Sequence, residues 1–179
     1  MTMSSIDRIL ILTEDTYGKV FFEKIVRKLK ERGVLFRGRG IDVKSVSAKP
    51  CDAKLSRVLE QLSVPAPYKH NYFRIVVVMD GDGRPREVCE KIRFHVPYSC
   101  SGIVKIVVVD YELEEWICLC LGIRYSGKPS VELSRYLEAK RGIRYRKRYL
   151  PRFADELDID VLLKKSESFR KFYNSLLVN

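Results

Sequence analysis

The chain has 179 residues, which is the length of one ordinary domain and enough to bury a substantial core. It carries 34 Lys and Arg residues against 23 Asp and Glu, giving a formal net charge of +11. The length argues against a two-domain enzyme, and the charge favours a polyanionic partner such as nucleic acid. Thermophilic proteins are also rich in charged residues, so a second explanation of this composition stays open.

The sequence shows no sign of a membrane or export signal. Residues 1–7 lack a basic segment followed by an apolar stretch, and no apolar run approaches ~18 residues. We therefore expect a cytoplasmic protein without a membrane partner. The five cysteines are odd in number and lack the paired spacing of zinc sites, which favours small core residues, although one disulfide remains open.

The first half of the chain alternates between strand and helix patterns. A strand is predicted at about residues 8–13, followed by a helix from Tyr17 to Lys30. A half-exposed strand is predicted at 41–46, and helical spacing resumes from Ala53 to Leu62. The apolar face of the first helix collects five residues: Val20, Phe21, Ile25, Val26 and Leu29.

The next two strands are uninterrupted apolar runs. One is predicted from Phe73 to Asp80, with Pro85 opening the following helix, and the other at about 103–109. A short helix is then predicted from Glu112 to Leu121, ended by Gly122. Strands of this kind are typical of a sheet covered by helices on both faces, so the sheet should be mostly parallel.

These elements predict the architecture. We expect an α/β fold, a three-layer α/β/α sandwich whose four-stranded sheet has the order 2-1-3-4. Residues 1–125 are expected to form this core, and residues 126–179 a basic helical C-terminal extension packed on it.

Acidic residues follow three of the predicted strands. Glu14 and Asp15 follow the first, Asp80 and Asp82 the third, and Asp110 the fourth. Because the carboxyl ends of parallel strands meet at one edge of a sheet, these carboxylates should cluster there. Carboxylate oxygens are the ligands that Mg²⁺ prefers, and the alternating Asp80-x-Asp82 spacing would point both side chains to one side of an extended chain.

Each acidic element also has a structural explanation. Asp-Gly-Asp-Gly at 80–83 is a common turn composition, and Asp15 is well placed to cap the following helix. Glu112, Glu114 and Glu115 could simply complement the dipole of the helix that they begin. Trp116 is predicted to be a core residue.

A basic stretch occupies residues 140–152, with tyrosines between the cations. Such a segment can hold phosphates through its cations and stack bases on its aromatic rings. Alternatively, it is a solvated loop whose tyrosines pack on the core. The nucleic-acid contacts are predicted at four residues: Arg144, Arg146, Lys147 and Arg148.

The order of these motifs resembles the TOPRIM domain of topoisomerases, primases and OLD-family nucleases. The resemblance is carried by a first strand ending in Glu14, a strand ending in Asp80-Gly-Asp82, and the βαβα frame between them. A compact TOPRIM-like branch of unassigned function is more similar still. It has a Glu-x-Trp element, matched by Glu114-Glu115-Trp116, and a Ser-x-Phe element before a final helix, matched within 166–172.

The resemblance implies a site and an activity: Mg²⁺ or Mn²⁺ bound by Glu14, Asp80, Asp82 and Glu114, and phosphodiester chemistry on DNA or RNA, as in a nuclease. Glu14 matches the glutamate that serves as metal ligand or as general acid or base. The family usually has Gly directly after this glutamate, whereas Asp15 stands here. The alternative is therefore a noncatalytic nucleic-acid-binding or adaptor protein with a degenerate site, and a protein partner remains open.

Overall fold

The computed structural model describes residues 8–35, 39–47, 52–64 and 71–177. Strands and helices alternate through the first half of the chain, and helices follow one another in the second half. The strands are β1 (Arg8–Thr13), β2 (Gly40–Ser45), β3 (Tyr72–Asp80) and β4 (Val104–Val109). The helices are α1 (Thr16–Glu31), α2 (Ala53–Ser63), α3 (Pro85–Phe94), α4 (Glu114–Leu121), α5 (Pro129–Arg141), α6 (Leu150–Phe153), α7 (Ile159–Lys165) and α8 (Glu167–Leu176).

The four strands form one sheet in the order β2-β1-β3-β4, and every neighbouring pair is parallel. This confirms the predicted order and direction. Thr13, the last residue of β1, lies beside Val78 of β3, and Asp80 lies beside Val109 of β4. The carboxyl ends of the three strands that precede the acidic residues therefore lie at one edge of the sheet.

Successive residues of the central strands face opposite sides of the sheet, and both sides are buried. In β1, Ile9 and Ile11 belong to one apolar cluster, whereas Leu10 and Leu12 belong to the other. The first cluster includes buried residues of α1 and of α4 to α8, and the second includes those of α2 and α3. Helices thus cover the sheet on both faces, which explains the apolar runs in its strands.

Local signals define where several helices begin and end. Asp15 caps α1, and its Oδ1 accepts a hydrogen bond from Gly18 N at 2.7 Å. Pro85 opens α3, and Gly122 ends α4 in the left-handed conformation with φ of 69°. The predicted apolar face of α1 is wrong at one residue: Val20 is 41% exposed, whereas Phe21 is buried.

The second half of the chain shares the main core with the first. Trp116 is fully buried, as predicted, and its ring meets Phe22 of α1 and Phe169 of α8 edge to face, at 5.9 and 5.0 Å between centroids. Residues on either side of position 125 therefore pack into one apolar cluster.

Two further observations concern the alternatives raised by the sequence. Cys89, Cys100, Cys118 and Cys120 are free thiols, while Cys51 lies outside the described residues. Among the helices that the structure describes, none is long and apolar enough to cross a membrane.

Candidate metal centre and nucleic-acid interface

The turn after β3 is held against the loop after β4 by backbone hydrogen bonds. Gly81 N and Asp82 N both donate to Tyr111 O, at 3.0 and 2.9 Å. A Cβ atom on Gly81 would stand 2.2 Å from Val109 O, so only glycine allows this close approach. The glycine therefore positions Asp80 at the end of the strand.

Asp82 does not continue the strand. Its φ is +48°, in the left-handed region, and its side chain is exposed. The prediction that Asp80 and Asp82 alternate along an extended chain and point the same way is therefore wrong, because the backbone turns after Asp80. Asp82 still lies close enough for its charge to raise the pKa of Glu14.

Asp80 lies at the centre of the candidate site. Its Oδ1 accepts a hydrogen bond from Leu113 N at 3.1 Å, and its Oδ2 lies 3.6 Å from Lys147 Nζ. Burial raises the pKa of Asp80 to about 8, and the charges of Glu14 and Glu114 act in the same direction against the opposing effect of Lys147. The surroundings of Asp80 therefore disfavour the charged form of its carboxyl group.

Glu14 shares this environment from the neighbouring strand. Its side chain lines a small cavity together with Thr13, Asp80 and Lys147. Burial raises the pKa of Glu14 to about 7, while the backbone amide of Asp80 and the ammonium of Lys147 oppose the rise. Asp15 also borders this cavity, but its side chain serves as the helix cap.

Glu114 reaches the cluster from the first turn of α4 and is nearly inaccessible, with 1% of its side chain exposed. Its Oε1 accepts a hydrogen bond from Tyr145 Oη at 2.6 Å, and its Oε2 accepts one from Lys147 Nζ at 3.2 Å. Burial and the Glu114 carboxylate both raise the pKa of the Tyr145 hydroxyl, which keeps it a donor.

Lys147 is half-buried, and its ammonium lies beside the carboxylates of Asp80 and Glu114. Burial acts against its charge, but Asp80 and Glu114 outweigh this effect and raise the pKa of its ammonium. Arg146 is extended, with φ of −140° and ψ of 146°, so Tyr145 and Lys147 extend to the same side of the chain. Tyr145, two residues before Lys147, was the sequence signal that could have indicated an inward-facing lysine.

The other predicted nucleic-acid contacts lie on the surface. Arg144, Arg146 and Arg148 are exposed. Arg144 and Arg146 border a groove of about 500 Å³ that also includes Arg135 and Ser134 of α5. This groove reaches Glu114 and Lys147, so the exposed cations and the carboxylate cluster are contiguous.

The aromatic residues of the basic stretch divide between core and surface. Tyr145 is buried, so the packing explanation is right for this ring, and Phe153 just after the stretch is buried as well. Tyr149 is half-buried, and the guanidinium groups of Arg148 and Arg152 each lie 5.1 Å from its ring centre.

Glu115 has a structural role that the sequence did not reveal. Its carboxylate accepts hydrogen bonds from the backbone amides of Asp110 and Tyr111 and from Ser168 Oγ. Ser168 Oγ in turn accepts a hydrogen bond from Trp116 Nε1 at 2.9 Å. The Glu-x-Trp and Ser-x-Phe elements therefore meet inside the protein, where they join α4 to α8. Glu112 also supports the fold, because its Oε1 accepts a hydrogen bond from Ser130 N at 2.6 Å.

The donor set suits Mg²⁺ in kind, because Glu14, Asp80 and Glu114 supply hard carboxylate oxygens, and desolvation raises the pKa of Glu14 and of Asp80. In their present arrangement, however, no three Asp, Glu, His or Cys side chains of the described residues are grouped to hold an ion. The cavity beside Glu14 and Asp80 has a volume of about 10 Å³, the space of about one water molecule. The Lys147 ammonium provides the positive charge instead.

Comparisons with protein-family models, with curated proteins and with solved structures find no match for this chain.

Proposed function

We propose that the protein is a Mg²⁺-dependent nuclease of the TOPRIM type, acting on phosphodiester bonds at the carboxyl edge of its sheet. One observation carries the proposal: Glu14 and Asp80, at the carboxyl ends of adjacent parallel strands, are half-buried carboxyl groups whose pKa is raised by desolvation. Lys147, which lines their cavity, also lines the groove that carries Arg144 and Arg146. Carboxyl groups kept in such a costly environment are typical of functional sites.

The division of roles follows from the geometry. Glu14, Asp80 and Glu114 would hold the ion, and Asp82 on the adjoining turn would face the solvent side of the cluster. A bound Mg²⁺ would polarise the phosphoryl group and lower the pKa of a water molecule. The exposed side chains of Arg144, Arg146 and Arg148 would hold the nucleic-acid backbone.

A specific observation favours a second function, nucleic-acid binding without cleavage. Both oxygens of Glu114 accept hydrogen bonds from within the protein, and both oxygens of Asp80 are engaged by Leu113 N and Lys147. A protein whose carboxylates are satisfied in this way could use the cluster only to position Lys147 and the basic segment.

Cleavage assays with matched variants separate the two functions. Wild type, Glu14→Gln and the control Glu90→Gln, which changes an exposed residue of α3, are incubated with single-stranded and duplex DNA and RNA in Mn²⁺. We expect cleavage by wild type and the control, and a loss of about a hundredfold or more in Glu14→Gln with binding in Ca²⁺ retained. Binding without cleavage of any substrate by wild type would support the noncatalytic function.

A further inference from the structure

The ammonium of Lys147 lies beside the carboxylates that would have to bind a metal ion. Its ammonium lies 3.2 Å from Glu114 Oε2 and 3.6 Å from Asp80 Oδ2, and it lines the same small cavity as Glu14. The cavity has room for about one water molecule. Lys147 in this position therefore leaves no space for a second, hydrated cation, and two adjacent cations would also repel each other.

The side chain of Lys147 can also reach the adjoining groove. Lys147 lines both the small cavity and the groove of about 500 Å³ that carries Arg135, Arg144 and Arg146, and one third of its side chain (33%) is exposed. Its flexible four-carbon stem allows the ammonium to move from the cavity to the groove by rotation of side-chain bonds. The backbone from Tyr145 to Lys147 can stay in place.

The charges decide when this movement is favourable. Withdrawing Lys147 alone would leave the half-buried Asp80 and the nearly inaccessible Glu114 without their cation, and the loss is most unfavourable for the buried Glu114 carboxylate. Binding of another cation to the cluster would remove this penalty and release Lys147. In the groove its ammonium would join Arg135, Arg144 and Arg146, where Glu112 and Glu138 already lie and Glu138 pairs with Arg144 at 3.9 Å. An additional anionic group bound there would stabilise the displaced ammonium further.

We propose that Lys147 and a divalent cation are alternative occupants of the carboxylate cluster, and that nucleic-acid phosphate in the adjoining groove retains the displaced lysine. This rests on the proposed function, since it takes both the ion and the nucleic acid from it. Its consequence is positive coupling: each ligand raises the affinity for the other, and Lys147 transmits the effect.

The competition is tested by isothermal titration calorimetry, in which Mn²⁺ is added to protein freed of nucleic acid. The variants are Lys147→Met and the matched control Lys140→Met, which makes the same change at an exposed position of α5. We expect Lys147→Met to bind Mn²⁺ about tenfold or more tightly than wild type, and the control to bind within about twofold at 0.15 M salt. If Lys147→Met is unfolded without metal, recovery of its circular dichroism on adding Mn²⁺ gives the same support.

The coupling is tested through the salt dependence of nucleic-acid binding, with Ca²⁺ as an ion that allows binding with little turnover. For wild type and Lys140→Met, adding Ca²⁺ should steepen the log–log dependence of affinity on salt by about one, because Lys147 then contacts phosphate. For Lys147→Met, Ca²⁺ should leave the slope unchanged.

The two proposals fail in different ways. Equal Mn²⁺ affinity in wild type and Lys147→Met would overturn the competition while leaving the metal site of the proposed function intact. Absence of Mn²⁺ binding in both proteins would overturn that metal site, and the inference with it.

Discussion

At the scale of single residues, Glu14 and Asp80 make the stability of the metal-free protein depend on pH. Burial raises the pKa of Glu14 from 4.5 to about 7 and that of Asp80 from 3.8 to about 8. Both groups therefore hold a proton more tightly in the folded protein than in the unfolded chain. Their contribution to stability is fully present below pH 3.8 and is lost as the pH rises through about 7 and 8.

We predict that the free energy of unfolding in EDTA falls between pH 4.5 and 8, and that Glu14→Gln falls less steeply. The exposed groups with lowered pKa, such as Glu87 and Asp155, lose their contribution only at lower pH and do not produce this slope. Urea unfolding at a series of pH values measures it. Glu90→Gln should behave as wild type, and an undiminished slope in Glu14→Gln would contradict the assignment.

At the scale of structural elements, the turn after β3 and the loop after β4 are a single packed unit. Gly81 provides the close contact, because an added Cβ would meet the backbone oxygens of Val109 and Asp110 at 2.2 and 2.8 Å. Backbone atoms on a paired strand cannot move away as the end of a flexible side chain could. The two loops must therefore separate to accommodate any larger residue.

We predict that Gly81→Ala lowers the free energy of unfolding by about 2–4 kcal/mol and weakens Mn²⁺ binding, since Asp80 moves with the turn. Gly102→Ala is the control, because a Cβ there meets no atom within 4 Å. It should change stability by less than about 1 kcal/mol. Chemical unfolding and Mn²⁺ calorimetry give the two readouts, and equal stability of the two variants would refute the packing argument.

At the scale of the whole molecule, the net charge of +11 draws polyanions to the protein, but the basic segment determines where they bind. Arg144, Arg146 and Arg148 are exposed beside the carboxylate cluster, whereas Arg57 is exposed on α2, which covers the opposite face of the sheet. This arrangement separates a local binding surface from a general effect of charge.

We predict that Arg144→Ala, Arg146→Ala and Arg148→Ala each reduce the log–log salt slope of nucleic-acid affinity by about one. Arg57→Ala should leave the slope unchanged. In EDTA, Lys147→Met should also change it little, because Lys147 is then paired with Asp80 and Glu114. Fluorescence anisotropy measures the slopes at salt concentrations from about 50 to 200 mM, a range over which phosphate contacts lose much of their affinity. A full slope in all three Arg variants would place the binding surface elsewhere.

The sequence alone was enough to predict the frame of the molecule. The apolar runs of β3 and β4, Asp15 at the start of α1 and Gly122 at the end of α4 act through residues close together in the chain. The predicted strand order is also confirmed. It was inferred from the expected cluster of acidic residues, which required β1 and β3 to be neighbours. Local patterns of this kind are available to sequence reasoning, since they depend on backbone conformation and burial period.

Only the tertiary structure decided the occupants of the site. Lys147 reaches Glu114 across 33 positions of the chain, and Ser168 reaches Glu115 across 53. The sequence assigned Lys147 to the phosphate-binding surface because its neighbours are cations, but burial of Tyr145 turns that side of the segment inward. Asp82 was expected to point to the same side as Asp80 because of its spacing, but the backbone turns at Gly81 to pack against Val109. In each case the side chain's direction depends on which distant surface the segment packs against. The spacing of Tyr145 and Lys147 indicates that they share a side of the chain, but the tertiary structure determines which surface that side meets.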